Sequence, residues 1–159
     1  EPRRLLNPLD ARAARAAALD ALARRDHASE DLRRKLLDKG YDAAVVVPLL
    51  EALRGEKLLD DRRYTENFVA YHAARGQGPV RVRADLRRHG LTGVVVEECL
   101  DAFSDWIVQL QKARHKKFGA QLPTTYADKQ RQAQFLGYRG FTSAQIRMAL
   151  GLDWDLDAD

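Results

Sequence analysis

The chain has 159 residues, 45% of them hydrophobic and 31% charged, with a formal net charge of +4. That length suits one domain or a short array of small ones, and an apolar fraction this high with strong periodicity excludes wholesale disorder. The uncharged stretches reach about nine residues, as at 119–127, roughly half of what a membrane-crossing helix needs, so no membrane association is expected.

The opening Glu-Pro-Arg-Arg lacks an initiating Met, from which we expect further residues upstream. A first helix is predicted over residues 10–25, with Asp10 as its N-cap. Leu32 and Leu36 then form an i, i+4 apolar stripe that stops at Gly40. Asp42 is placed to cap a third helix presenting Val46, Leu49, Leu50 and Leu53. The β-branched runs 45–47 and 94–96 would suit short strands, but the spacing that follows each favours helix. Pro48 lacks a backbone N–H, so the helix must start nearer Val46 or bend in its first turns.

Asp60 is predicted to cap a fourth helix over residues 60–75. Gly76-Gln77-Gly78-Pro79 follows without a preceding strand or a following Gly-Lys-Ser, so it reads as a turn between helices and not a phosphate-binding loop. Pro79 opens the next helix, in which Arg81 and Arg88 flank one side of the Val82 and Leu86 stripe and Arg83 and Arg87 the other. After Gly90, Thr92 is the expected cap of a helix carrying Val96, Cys99, Leu100 and Phe103. Cys99 on that stripe reads as a core residue, and a lone cysteine with no internal partner fits a reducing cytoplasm. A seventh helix is predicted over 104–118, a polar loop with Pro123 over 119–125, and two more helices hinged at Gly140 and capped at Thr142.

These elements repeat. Gly40, Gly90 and Gly140 are fifty residues apart, each four residues after Leu36, Leu86 or Leu136 and one before Tyr41, Leu91 or Phe141. Val46, Val96 and Ile146 keep the register, as do Leu50, Leu100 and Leu150, and Phe68 with Phe118. The reading is an all-α chain of nine helices in three tandem three-helix units, at residues 10–59, 60–103 and 104–151, forming an elongated modular array with an acidic tail at 152–159. Leu36, Leu86 and Leu136 are expected to be buried equivalents.

Charge is banded along the chain. Residues 61–90 carry net +4, residues 91–108 net −4, residues 109–147 net +7 and the tail net −4. Arg81, Arg83, Arg87 and Arg88 form one basic cluster, and Lys112, Arg114, Lys116 and Lys117 a second. Either is compatible with an ordinary solvated face, with the lysines answering the helix dipole. Together they point to a surface that binds phosphates or an acidic protein groove. The tail, with Trp154 and Leu156 between aspartates, is expected either to compete for that surface or to cover the last apolar face. His27, His72, His89 and His115 lack metal-ligand spacing, and Asp60-Asp61 at a helix start reads as capping, so neither metal, cofactor nor catalysis is expected. A helix-turn-helix DNA reader is the rival, but the third helices of the first two units begin with Ala and Val where base-reading polar residues would stand.

Leu58-Leu59-Asp60-Asp61-Arg62-Arg63-Tyr64, then Phe68, strongly resembles the RecX family of recombinase regulators, as does Gly76-Gln77-Gly78-Pro79-Val80-Arg81-Val82-Arg83 followed by Leu86. Ser29-Glu30-Asp31-Leu32-Arg33-Arg34-Lys35-Leu36 matches too, while residues 128–150 are similar in layout but looser, and Arg54 stands where the family commonly has an acidic residue. The resemblance implies a regulatory, non-enzymatic protein that lies in the groove of a RecA filament on single-stranded DNA. It would limit filament growth, ATP turnover, strand exchange and coprotease activity. Three short units in a row would gain affinity from several weak contacts. A cytoplasmic monomer contacting RecA and single-stranded or duplex DNA is the expectation; the alternative is a general DNA-binding helical module without a recombinase partner.

Overall fold

A computed structural model describes residues 8–151, and the side chains from Asp10 onward; the acidic tail expected at 152–159 lies outside the described residues. Among the described residues there are nine α-helices and no strand: α1 Pro8–Arg24, α2 Ser29–Asp38, α3 Ala43–Gly55, α4 Asp61–Ala74, α5 Pro79–Arg88, α6 Val94–Ala102, α7 Trp106–Phe118, α8 Tyr126–Tyr138 and α9 Ser143–Leu150. Both valine runs are helical.

The fifty-residue register is the register of one helix-ending turn. At the end of α2 the Gly40 N–H donates to the Leu37 carbonyl at 2.9 Å and the Tyr41 N–H to the Leu36 carbonyl at 3.2 Å. At the end of α8 the Gly140 N–H donates to Gly137 at 3.0 Å and Phe141 to Leu136 at 3.1 Å. This paired pattern consumes two carbonyls that a helix end leaves without partners, and it needs a left-handed residue after the last turn. Leu36, Leu86 and Leu136 are all buried, at 1%, 0% and 0% exposure.

Caps follow the predicted pattern in two units of three. The Asp42 carboxylate accepts from the Ala44 N–H at 2.9 Å. Thr142 and Gln145 form a reciprocal capping box, at 3.1 and 2.9 Å. Thr92 does not cap: α6 begins one residue later than its counterparts, behind Gly93 in a left-handed conformation with φ 93°. Asp10 is not a cap either, because α1 starts at Pro8 and leaves Asp10 within the first turn, where its charge still favours the positive helix end. Pro48 lies inside α3, which begins at Ala43 and so forgoes the bond to the Ala44 carbonyl.

The described helices group into two compact units, one comprising the chain up to Tyr64 with Arg88–Leu91, the other Thr65–Arg87 with the chain from Thr92. In the first, α1 offers a face of Ala14, Ala18 and Ala21, small enough for close approach, to Leu32 and Leu36 of α2 and Val46, Leu50 and Leu53 of α3. Its periphery is tied by Arg15, whose Nη2 donates to both Glu56 oxygens at 2.8 and 2.9 Å, and by a two-pronged pair of Arg63 with Asp26 at 2.9 and 3.1 Å. His27 is buried, its Nδ1 3.0 Å from the Arg25 carbonyl. In the second unit Trp106 and Leu110 of α7, Leu136 of α8 and Ile146 and Leu150 of α9 are buried, and the Trp106 indole donates to the Leu100 carbonyl at 3.0 Å.

Within that second unit, the turn after α4 sits directly on the turn after α8. Gly78 N–H donates to the Arg139 carbonyl at 2.8 Å and Val80 N–H to the Gly140 carbonyl at 2.9 Å. A side chain on Gly78 would overlap the backbone of Gly140 and Phe141, and one on Gly140 would come within 2.5 Å of Arg81 Cβ. Gly40, by contrast, faces open space.

Gly140→Ala therefore meets both a strained φ of 98° and a blocked position, whereas Gly40→Ala meets strain alone. The left-handed conformation costs a non-glycine residue about 1–2 kcal/mol. Urea unfolding should show a loss of that size for Gly40→Ala and a clearly larger one for Gly140→Ala. Burial also holds the His27 imidazole below its ordinary pKa. The unfolded chain then binds more protons than the folded one just below pH ~6.5, so His27's contribution is complete above that value and declines as the pH falls toward the folded pKa. As the pH falls below about 6.5, the urea midpoint should drop by more in the native sequence than in His27→Gln.

Candidate functional site

The two predicted basic clusters do not behave alike. On α5, Arg81 and Arg87 are exposed, and Arg88 is exposed with its carbonyl accepting from Arg34 at 3.3 Å. Arg83 instead makes a two-pronged pair with Glu97 of α6, at 2.7 and 3.0 Å. That pair raises the arginine's pKa and lowers the glutamate's, chiefly through the hydrogen bonds themselves. Arg83 is thus an intrachain strut whose charge is already answered.

Arg114 departs further from the expectation that groups it with the exposed lysines. It is 2% exposed, because Trp106, Leu110 and Arg114 recur every four residues on the buried face of α7. Its guanidinium donates to the Gln111 side chain at 2.8 Å and to the Gln121 and Ala120 carbonyls at 3.1 and 3.5 Å. Those contacts pin the loop between α7 and α8. Arg114 is a structural residue in this fold.

Lys112, Lys116 and Lys117 fall on the other face of α7 and come together. With Gln109 and Ala113 they form one wall of a cleft of about 480 Å³. Two further cations close it: Arg75, in the turn that follows α4, and Arg139, the C-cap of α8. Phe135 of α8 forms an aromatic part of the lining, with Lys117 Nζ 5.8 Å and Arg139 Cζ 5.3 Å from its ring centre. Arg75 lies over the Tyr71 ring at 3.5 Å. Five cations therefore line this cleft, and no carboxylate is among its lining residues.

Sequence reading missed Arg75 and Arg139 as site residues. A signal was present, since each directly precedes a positive-φ glycine that follows a helix. Arg81 of α5 packs against Gly140 through its backbone, next to Arg139. The first unit has a cleft of similar size, about 500 Å³, but Asp31 and Asp38 line it beside Arg25, Arg34, Lys35 and Lys39. Its field is mixed, and His89 Nδ1 is already held 2.6 Å from Asp31.

The run 58–64 holds the first unit together. Leu59 is 1% exposed, and Leu58 is 42% exposed. Asp60 accepts from the Arg63 N–H at 3.0 Å and caps α4, while Asp61 accepts from the Ser29 N–H at the start of α2 at 2.8 Å. Arg62 is exposed. Arg63 pairs with Asp26, and the half-buried Tyr64 ring lies 5.9 Å from that of His89, its hydroxyl pKa raised chiefly by burial. Gly78 and Pro79 are buried at the turn already described. Adjacent aspartates serving two different helix starts is the capping role expected of them.

Among the described residues no helix is long and apolar enough to cross a membrane, and no group of three or more His, Cys, Asp or Glu is placed to hold a metal ion.

Models of the first, second and third three-helix domains of RecX match residues 14–53, 60–100 and 107–150. Regulatory protein RecX of Halorhodospira halophila (strain DSM 244 / SL1) is 47% identical over 138 residues, which cover 86% of each chain. That of Ectopseudomonas mendocina (strain ymp) is 39% identical over 149 residues, 92% of this chain and 97% of that protein. A crystal structure of regulatory protein RecX matches with a TM-score of 0.75 at 25% identity, covering 88% of this chain and 72% of that one. RecX from Lactobacillus salivarius shares the fold at a TM-score of 0.76 and 20% identity, over 88% of this chain and 94% of that one. With three consecutive domain models and relatives matched over most of their length, this chain belongs to the RecX family.

Proposed function

We propose that the chain is a regulator that binds the RecA filament on single-stranded DNA and restrains its growth, ATP turnover, strand exchange and coprotease activity. It acts by binding, as a cytoplasmic monomer, through the three units at residues 10–59, 60–103 and 104–151. Relatives named regulatory proteins support the regulatory part of this reading. The observation that carries the binding surface is the concentration of unneutralised cations on α7 and at the ends of α4 and α8. A nucleoprotein filament is a polyanion with a protein coat. Basic groups attract its phosphates from a distance and set orientation, and shape-matched contacts then hold the complex.

Within that reading Arg81, Arg87 and Arg88 of α5 and Lys112, Lys116 and Lys117 of α7 face the filament, Arg83 braces α5 against α6, and Arg114 braces the α7–α8 loop. A general DNA-binding module is the second reading, favoured by the same cations; it requires no effect on recombinase turnover beyond competition for DNA.

Increasing amounts of the purified chain should suppress ATP turnover by the cognate recombinase on DNA already coated with it, while the chain alone hydrolyses nothing. Unchanged turnover over a wide concentration range contradicts the regulator. Reversing Arg81 and Arg87 to Glu should weaken filament binding and make its logarithmic salt slope shallower by about 1.4, since each phosphate contact on a single strand contributes about 0.7. Arg114→Ala should instead lower stability by roughly 1–3 kcal/mol, the cost of stranding buried hydrogen-bonding groups, as read by urea unfolding.

A further inference from the structure

We infer that the cleft walled by α7 is a phosphate site that takes two or more adjacent phosphate groups at once. This rests on the reading above and names the chemistry that the basic face recognises. Lys112, Lys116 and Lys117 enter it from one helix face, and Arg75 and Arg139 from two separate turns. Charges that meet from three elements repel one another, and no carboxylate lines the cleft to offset that repulsion. A single carboxylate brings one negative charge and two oxygens. A run of phosphates brings a charge on every group and acceptors on several sides, which suits planar arginine forks combined with point-charged lysines.

The dimensions agree. A space of about 480 Å³ holds far more than one small ion and lies within the range of nucleotide-sized ligands. A base stacked on Phe135 would compete with Lys117 and Arg139, which lie 5.8 and 5.3 Å from its ring centre. The ring packs edge-on with Phe118 at 5.3 Å, which holds this apolar base in place beneath the cations. Recognition here is by phosphate rather than by base, and so is independent of sequence. Arg75 is held over Tyr71, so at least one of the five charges is already ordered before a ligand arrives.

Two sources supply adjacent phosphates: the backbone of a single strand and a free nucleoside triphosphate. Calorimetric titration of the full chain with inorganic triphosphate and with oligothymidine separates them. The probe variant is Arg75→Gln with Arg139→Gln, and Arg12→Gln, exposed on α1, is the control. We expect the double variant to lose about tenfold or more in affinity with no loss of melting temperature, since two mutually repelling charges are removed, and Lys at both positions to restore part of the binding. Displacement of oligothymidine by triphosphate identifies the strand backbone. Loss of triphosphate binding alone, with oligothymidine binding intact, identifies the free nucleotide. Either result supports a phosphate site. If the native chain binds neither probe, or the double variant binds both as tightly as Arg12→Gln does, the inference is overturned. Recombinase ATP turnover with the same variant separates the two claims. Cleft-dependent phosphate binding with normal inhibition keeps the site and removes its part in regulation; inhibition by a chain that binds no phosphate probe removes the site and keeps the regulator.

Discussion

The organising constraint of this fold is the way its helices stop. A helix end leaves carbonyls without partners, and a glycine in the left-handed region turns the chain so that the next two N–H groups reach back to them. At Gly40 and Gly140 that turn takes the form Leu-x-x-x-Gly followed by a large apolar residue, and Gly90 shares its sequence and its positive φ, so the pattern recurs every fifty residues. The leucine is the carbonyl acceptor and a core residue at once, and the residue after the glycine closes over it. The hydrogen bonds, the chain reversal and the burial all pass through that one turn, which is why the three features stay in register.

The same turns determine where charge accumulates. A cation just before the glycine is favoured by the helix dipole. Arg75 and Arg139 both stand at this position, and the turns bearing them are joined by backbone hydrogen bonds through Gly78 and Val80. That docking brings two helix-end cations to the lysine-bearing face of α7. Such a cluster works against stability, and it stands in a fold that elsewhere answers its arginines, as Arg63 with Asp26 and Arg83 with Glu97; that contrast supports the proposed binding role.

Most of the fold was legible because its signals are local: i, i+3, i+4 spacing, glycine stops and capping residues each depend on a few neighbouring positions. The failures are local too. Thr92 resembles Asp42 and Thr142, but Gly93 after it permits a backbone geometry that starts the helix a residue later. Pro48 was legible as a disturbance, yet packing of Val46, Leu49, Leu50 and Leu53 retains the helix through it. The site was read less well because charge on a linear chain does not reveal facing. Arg114 sits between lysines in sequence but on the Trp106 and Leu110 stripe in space, and counting by fours along α7 would have shown it. Arg83's partnership with Glu97 and the meeting of Arg75 with Arg139 depend on tertiary contacts that no spacing rule contains.

The central claim is that this family member engages its filament through the cation-lined face of α7 and the two helix-end arginines beside it. The most direct measurement is an electron cryomicroscopy structure of the chain bound to the cognate recombinase on single-stranded DNA. The account predicts Lys112, Lys116, Arg75 and Arg139 within hydrogen-bond reach of phosphate oxygens, with Arg114 still buried against its loop. A complex in which that face points into solvent, with the chain held by other surfaces, would contradict it.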